Sequence, residues 1–317
     1  MANQIDVLIA GQGAAAYAAA IYAARYRMST AIAGELFGGE TATGGLIENY
    51  PGAANIDGYD LMEVFKKQAV ELEVPIAASD LKSVEPREGR FLCTLANGEQ
   101  HLATAVVLAI GRKRRTLGLP NEEEWTGKGV SYCSTCDAPL YRNKESAAVV
   151  GGGNAAVEGA ILLAKYAKRV YLVYRRDQLT RPEPILLDTL DNTPNVERVF
   201  GTEVVELIGD KVLGLSSIRL SKPHRGEEVL KVDGLFIEAG ADPRVEIPNQ
   251  LGLKLNPETG EVAVGRAQET NVEGIYAAGD LSDGTTLKQT ITAAAQGAIA
   301  ALSAYQHYTK QRALSRA

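Results

Sequence analysis

The stretch Ile5-Asp6-Val7-Leu8-Ile9-Ala10-Gly11-Gln12-Gly13-Ala14-Ala15-Ala16 joins a short apolar run to a glycine turn and then to the alanine-rich segment Tyr17 to Tyr26. An apolar run of this length suits a strand buried on both faces of a parallel sheet, and alanine has the strongest intrinsic helix preference. A strand that enters a helix through Gly11 and Gly13 has the pattern of a dinucleotide-binding turn. The two glycines let the main chain approach a pyrophosphate, the helix N-terminus at Ala14 and Ala15 meets its charge, and small Ala16 allows close helix-strand packing. A second strand, Thr30 to Ala33, runs into Gly34-Glu35, which puts a carboxylate about where such a unit holds a ribose hydroxyl.

The pattern recurs downstream. Ser146 to Val150 reads as a strand, Gly151-Gly152-Gly153-Asn154-Ala155-Ala156 as a turn and Val157 to Tyr166 as a helix, so Gly151, Gly153, Asn154 and Ala155 are candidates for a second diphosphate site. The strand after it, Val170 to Val173, ends in Tyr174-Arg175-Arg176-Asp177 instead of an acidic residue. A carboxylate accepts from a ribose 2′-hydroxyl, whereas guanidinium groups hold a 2′-phosphate, so this site leans toward NADP(H) over NAD(H). The plainer alternative is a pair of solvated arginines at a strand end.

Between the two turns lies Tyr132-Cys133-Ser134-Thr135-Cys136-Asp137, with two of the three cysteines. Thiols at this spacing can close into a disulfide, and the acidic residue after the second can move a proton as it opens. Three cysteines do not make a secreted disulfide framework, and zinc needs about four ligands, which the scattered His101, His224 and His307 do not complete. No metal is expected. Cys93, in the alternating run Arg90 to Leu95, reads as a buried, inert strand residue.

The 45% hydrophobic and 23% charged content is that of an ordinary globular protein, and 317 residues suggest about two domains. A net charge of -6 argues against broad nucleic-acid binding. With no signal-peptide pattern and no apolar run long enough to span a membrane, the cytoplasm is the default.

Along the rest of the chain, Phe37 to Thr41 and Glu48 to Gly52 carry turn residues and read as surface loops. A helix is expected over Asp60 to Leu72, an antiparallel meander over Ile76 to Leu102, and a buried strand over Val106 to Gly111. The run Arg112-Lys113-Arg114-Arg115 is either a solvated face or a docking patch for an acidic partner. Crossings between domains are expected at Gly118 to Asn121 and Ala239 to Pro243, with a hairpin over Val204 to Leu220 turning at Gly209-Asp210. Gly274 to Asp280 reads as a strand presenting a carboxylate, and Thr290 to Tyr308 as one long helix.

In this order the parts resemble the low-molecular-weight thioredoxin reductase family over nearly the whole chain. The resemblance rests on Gly11 to Gly13, Glu48 to Gly52, Cys133 to Asp137 with Tyr141-Arg142, Gly151 to Val157, and Gly279-Asp280 with Gln289. It implies an α/β fold with two Rossmann-like three-layer dinucleotide-binding domains, the second inserted in the first. Residues 1–116 and 244–317 would bind FAD, and residues 117–243 would be an NAD(P)H-type domain that carries the dithiol. It also implies a homodimer, rotation of the central domain, and thioredoxin as the partner. Cys136 would face the flavin, Cys133 would attack thioredoxin, and Asp137 would be the acid-base group. FAD would be held by Gly11, Gly13, Ala14, Ala15, Glu35, Gly39, Glu40, Asn49, Gly111, Gly279, Asp280, Lys288, Gln289 and Thr290, with Asn49 near the ring system and Asp280 on the ribityl chain.

Several positions depart from the family pattern. The 2′-phosphate clamp usually reads His-Arg-Arg-x-x-x-Arg, whereas here Tyr174 precedes Arg175 and Arg176, and Arg181 stands one residue late. Lys288 replaces an arginine, Glu40 a glutamine, and the basic run at Arg112 is atypical. These features are similar to relatives that draw electrons from acidic ferredoxin, so the donor is left open between NADPH and reduced ferredoxin. An aromatic ring of Tyr305 to Tyr308 stacked on the flavin, against an exposed helix end, is a further open pair. So are two other readings of the whole: a small-dithiol oxidase or reductase, and a non-catalytic FAD scaffold with a structural disulfide.

Overall fold

A computed structural model describes residues 2–314. Residues up to Lys113 and from Asp242 onward form one compact unit, and Arg114–Ala241, which interrupts it, forms another. The chain crosses at Arg112–Arg114 and Ala241–Pro243, two short strands that share a two-stranded sheet.

In the first unit the opening strand, Asn3–Ala10, lies between Thr30–Ala33 and Gln100–Leu108 and pairs with both in parallel, Val7 standing opposite Thr30 and Ala105. Ile76–Ala77 extends the sheet on one side, and Arg90–Leu95 and Leu81–Arg87 on the other, with Ile275–Ala277 also beside Gln100–Leu108. Val7 and Ile9 pack against helices Ala14–Arg25, Gly58–Glu71 and Thr290–Leu314, while Leu8 and Ala10 pack against Leu108, Leu253 and Val262. Both faces are covered, which is why the segment reads as an unbroken apolar run. Helix Gly58–Glu71 begins where the Asp57 carboxylate accepts the Tyr59 N–H at 2.9 Å.

One expectation needs correction. The sequence suggests a meander ending at Leu102 and a separate strand starting at Val106, but Gln100–Leu108 is a single strand. Its first half pairs antiparallel, Phe91 opposite Ala103, and its second half pairs parallel, Val106 opposite Ile275. The change of partner along one edge, with the burial it brings, gives the two halves different sequence patterns.

The second unit has five parallel strands in the order Val130–Ser131, Gly234–Ile237, Ala147–Val150, Val170–Tyr174, Val196–Phe200. Helix Asn154–Ala164 covers one face through Val157, Ala160 and Leu163. The antiparallel strands Val204–Asp210, Gly214–His224 and Glu227–Lys231 cover the other through Leu207, Ile218 and Leu230. Each unit is therefore a three-layer Rossmann-like α/β fold. The hairpin turn lies just after the expected place, because the Asp210 carboxylate accepts the N–H groups of Val212 (2.7 Å) and Leu213 (3.1 Å) and folds the chain beyond itself. Helix Pro184–Asp191 was not foreseen; Pro184 starts it with no N–H to leave unpaired. Among the described residues no helix is long and apolar enough to cross a membrane.

Candidate active site

In the second unit Cys133 and Cys136 form a disulfide with their Cα atoms 5.3 Å apart. Cys133 caps the short helix Ser134–Asp137, and the Cys136 N–H donates to Cys133 Sγ at 3.2 Å. When the disulfide opens, a thiolate on Cys133 keeps that backbone donor, and a charged acceptor forms the stronger bond. The Ser131 hydroxyl donates to the Asp137 carboxylate at 2.7 Å and accepts the Cys133 N–H at 3.1 Å, so one buried side chain holds both residues. Opposite it, Ser134 donates through Oγ (2.8 Å) and N–H (3.2 Å) to Glu238 Oε1. The helix rests on Gly159, where an added Cβ would come 2.5 Å from Ser134 Oγ.

The second glycine turn lies in the same unit. Gly151 has φ +154°, and a Cβ there would meet the Glu238 carbonyl at 2.3 Å, whereas a Cβ at Gly153 would meet nothing within 4 Å. Gly153 caps the helix that Asn154 and Ala155 begin, and this open side is where a diphosphate can approach. Asn154 is committed to the following loop: its Oδ1 accepts the Glu183 N–H at 2.9 Å and its Nδ2 donates to Glu183 Oε1 at 3.1 Å. Arg175 and Arg176, exposed after strand Val170–Tyr174, line a cavity of about 350 Å³ together with Gly201, Thr202, Ser221 and Lys222. Arg181 is exposed and does not line it. The Tyr174 ring is buried over Gly152 and leaves no room for a side chain there.

The first unit gathers most of the remaining candidates. Gly11, at φ +113°, has space for no side chain, since a Cβ would lie 2.2 Å from the Ala109 carbonyl oxygen; Gly13, which caps Ala14 and Ala15, is open. The two stretches read as surface loops are drawn in toward this turn. A Cβ at Gly39 would lie 3.4 Å from Gly13 Cα, Asn49 Nδ2 donates to Gln289 Oε1 at 3.2 Å, and the Thr41 and Thr290 hydroxyls are 3.0 Å apart. The surface reading holds for Glu48 to Gly52, of which only Tyr50 is not exposed, and fails for Phe37 to Thr41, where Gly38 is buried and only Glu40 is exposed; local composition reports turns but not the distant partner.

Gly279, at φ +73°, donates its N–H to Gln296 Oε1 at 2.8 Å and presents Asp280. Burial raises the Asp280 carboxyl above its ordinary value, Arg112 and Lys288 pull it back, and Glu40 adds to the rise. No hydrogen bond from the described residues reaches that carboxylate. Lys288 Nζ lies 3.0 Å from Glu261 and donates to the Ser282 carbonyl at 2.6 Å. Gly111 (φ +64°) is open, and Glu35 is exposed with its N–H on Asp80 Oδ1 at 2.8 Å.

Two further expectations change. Arg112 is not part of a four-residue surface patch: its guanidinium pairs with buried Glu261 and donates through Nε to the Asp280 carbonyl at 3.2 Å. The C-terminal aromatics neither face the flavin candidates nor form a bare helix end, for Tyr305 stacks on Tyr26 at 4.8 Å and His307 is buried. Burial lowers the His307 imidazole below its ordinary value. Sequence reading missed Ser131, Glu238, Glu261 and Lys222, none of which stands in a recognisable local pattern. Cys93 is buried as expected, and burial pushes its thiol up to about 12.

Residues 5–297 match the model of the pyridine nucleotide-disulphide oxidoreductase family, and a thioredoxin reductase of Mycolicibacterium smegmatis is 38% identical over 96% of this chain and 97% of its own. The chain belongs to the thioredoxin reductase family. As a member of it, the protein is a disulphide oxidoreductase. Among solved structures, a Lactococcus lactis thioredoxin reductase superposes with a TM-score of 0.89 at 30% identity, covering 96% of this chain and 99% of that one. A ferredoxin-flavin thioredoxin reductase of Clostridium acetobutylicum gives 0.52 at 29% identity, over 98% and 100%. Ferredoxin stands in the name of one neighbour and not of the other, and the choice of donor falls to this chain's own residues.

Proposed function

We propose that the protein is an FAD-dependent thioredoxin-disulfide reductase that draws electrons from NADPH and delivers them through Cys133 and Cys136. One observation carries the reading: the Cys133–Cys136 disulfide, with Asp137 held on Ser131, stands in a unit with its own open glycine turn and arginine-lined cavity. The first unit fits a flavin dinucleotide, because Gly13 leaves an open side for a pyrophosphate and Asp280 offers an unpaired acceptor for a hydroxyl chain. Gly11, Gly13, Ala14, Ala15 and Gly39 would hold the diphosphate, Glu35 the ribose, Asp280 the ribityl chain, and Asn49, Lys288, Gln289 and Thr290 the region of the ring. Bound FAD supplies the two-electron chemistry that opens the disulfide.

The residues of the chain account for the rest. The Cys136 N–H steadies a thiolate on Cys133, which attacks one sulfur of the thioredoxin disulfide; the displaced thioredoxin sulfur takes up a proton. Cys136, losing its proton to Asp137, then attacks Cys133 Sγ in the mixed disulfide. This restores the Cys133–Cys136 bond and releases the second thioredoxin sulfur, which Asp137 protonates. Arg175 and Arg176 would take the 2′-phosphate of NADPH at the end of their strand. Ferredoxin steering loses its main argument, since Arg112 is committed to Glu261. A homodimer in the cytoplasm belongs to the same proposal.

The test is turnover of a thioredoxin disulfide by purified protein with NADPH, and separately with reduced ferredoxin. The account expects turnover with NADPH, and retention of FAD with no turnover in Cys133→Ser. Turnover with ferredoxin alone would reverse the donor, and unimpaired Cys133→Ser would remove the dithiol from the path.

A further inference from the structure

We propose that Lys222, from the antiparallel layer, is the third cation of the 2′-phosphate site, in the role that the family pattern gives to a loop arginine. The inference rests on the reading of NADPH as donor and deepens it. The cavity at the end of strand Val170–Tyr174 has Arg175 and Arg176 on one wall and Ser221 and Lys222 on another, while Arg181 lines neither. The loop that carries Arg181 is tied through Glu183 to Asn154 at the glycine turn.

The site is built rather than casual. Thr202, buried between the two walls, accepts the Lys222 N–H through Oγ1 at 3.0 Å, and that hydroxyl lies 3.2 Å from both the Lys222 carbonyl and Ser221 Oγ. Its own N–H donates to the Tyr174 carbonyl at 3.4 Å, and the Gly201 N–H donates to the Arg176 carbonyl at 3.1 Å. The main chain that launches Lys222 is thereby fixed to the main chain that launches the arginine pair. Lys222 Nζ has no ion pair among the described residues, so its charge is available to a ligand. Glu203 also lines the cavity. With three cations and one carboxylate the wall carries a surplus of positive charge suited to a phosphate dianion, and removing Lys222 strips half of that surplus.

Titration calorimetry of the FAD-loaded protein with adenosine 2′,5′-bisphosphate and with AMP tests this directly. Lys222→Gln is expected to weaken the bisphosphate about ten-fold, the loss of one charge-assisted hydrogen bond, and to leave AMP within about two-fold. Lys222→Arg should restore most of the affinity, and Arg181→Gln should change little. Equal weakening of both ligands, or a bisphosphate loss seen in Arg181→Gln and not in Lys222→Gln, would overturn the assignment. If unmodified protein fails to prefer the bisphosphate over AMP, the donor reading itself falls and takes this inference with it. A failure confined to the variants touches Lys222 alone.

Discussion

Replacing Gly159 by alanine sets two effects of opposite sign against each other. Gly159 lies inside helix Asn154–Ala164, where alanine is favoured over glycine by about 1 kcal/mol. The new methyl group, however, would stand 2.5 Å from Ser134 Oγ and 2.9 Å from Ser134 Cβ. Rotating the hydroxyl away relieves only the first contact, so the helix carrying the dithiol must shift by several tenths of an ångström. That shift strains both bonds from Ser134 to Glu238, each worth roughly 1.5 to 3 kcal/mol because the acceptor is charged, on top of an overpacking cost of about 1 to 3 kcal/mol. The clash wins. Gly159→Ala should lower stability by about 2 kcal/mol in urea unfolding and slow thioredoxin reduction. Adding Ser134→Gly should recover part of the loss, a coupling that a double-mutant cycle reads directly. A single variant more stable than the parent by about 1 kcal/mol, with unchanged turnover, would follow from helix preference alone and refute the packing argument.

Two further outcomes follow from the same geometry. Ser131→Ala removes the donor on Asp137 and the acceptor on the Cys133 N–H, so stopped-flow measurement should show disulfide turnover slowed about ten-fold or more while reduction of the flavin by NADPH is unaffected; loss of both steps together would mean a general unfolding. Asp280 has a carboxyl raised by burial, so in protein stripped of FAD it opposes folding once pH climbs above the ordinary value of 3.8. Asp280→Asn should therefore make the stripped protein more stable near neutrality, with the advantage fading as pH falls toward that value, while FAD binds more weakly. An advantage that is constant with pH would show that the charge is not responsible.

How much of this was legible in the sequence depends on the range over which each interaction acts. The two glycine turns were, because Gly11 and Gly151 answer to their immediate strand and helix and admit no side chain. The disulfide was, because its cysteines are neighbours on one helical turn. Glu238 and Glu261 were not: they meet Ser134 and Arg112 across more than a hundred residues, and a lone glutamate carries no periodic mark of such a partner. The same blindness made Arg112 look like surface charge and hid the bond from exposed Asn49 to Gln289. Tyr305 looked free because Tyr26, on which it stacks, lies at the far end of the chain.

The most direct test of the central claim is to alkylate the thiols after anaerobic treatment with NADPH and to map them by mass spectrometry, in FAD-loaded and FAD-stripped protein side by side. The account predicts that Cys133 and Cys136 become labelled only when both FAD and NADPH are present. Labelling without FAD, or a bleached flavin beside an unlabelled Cys133–Cys136 pair, would contradict it.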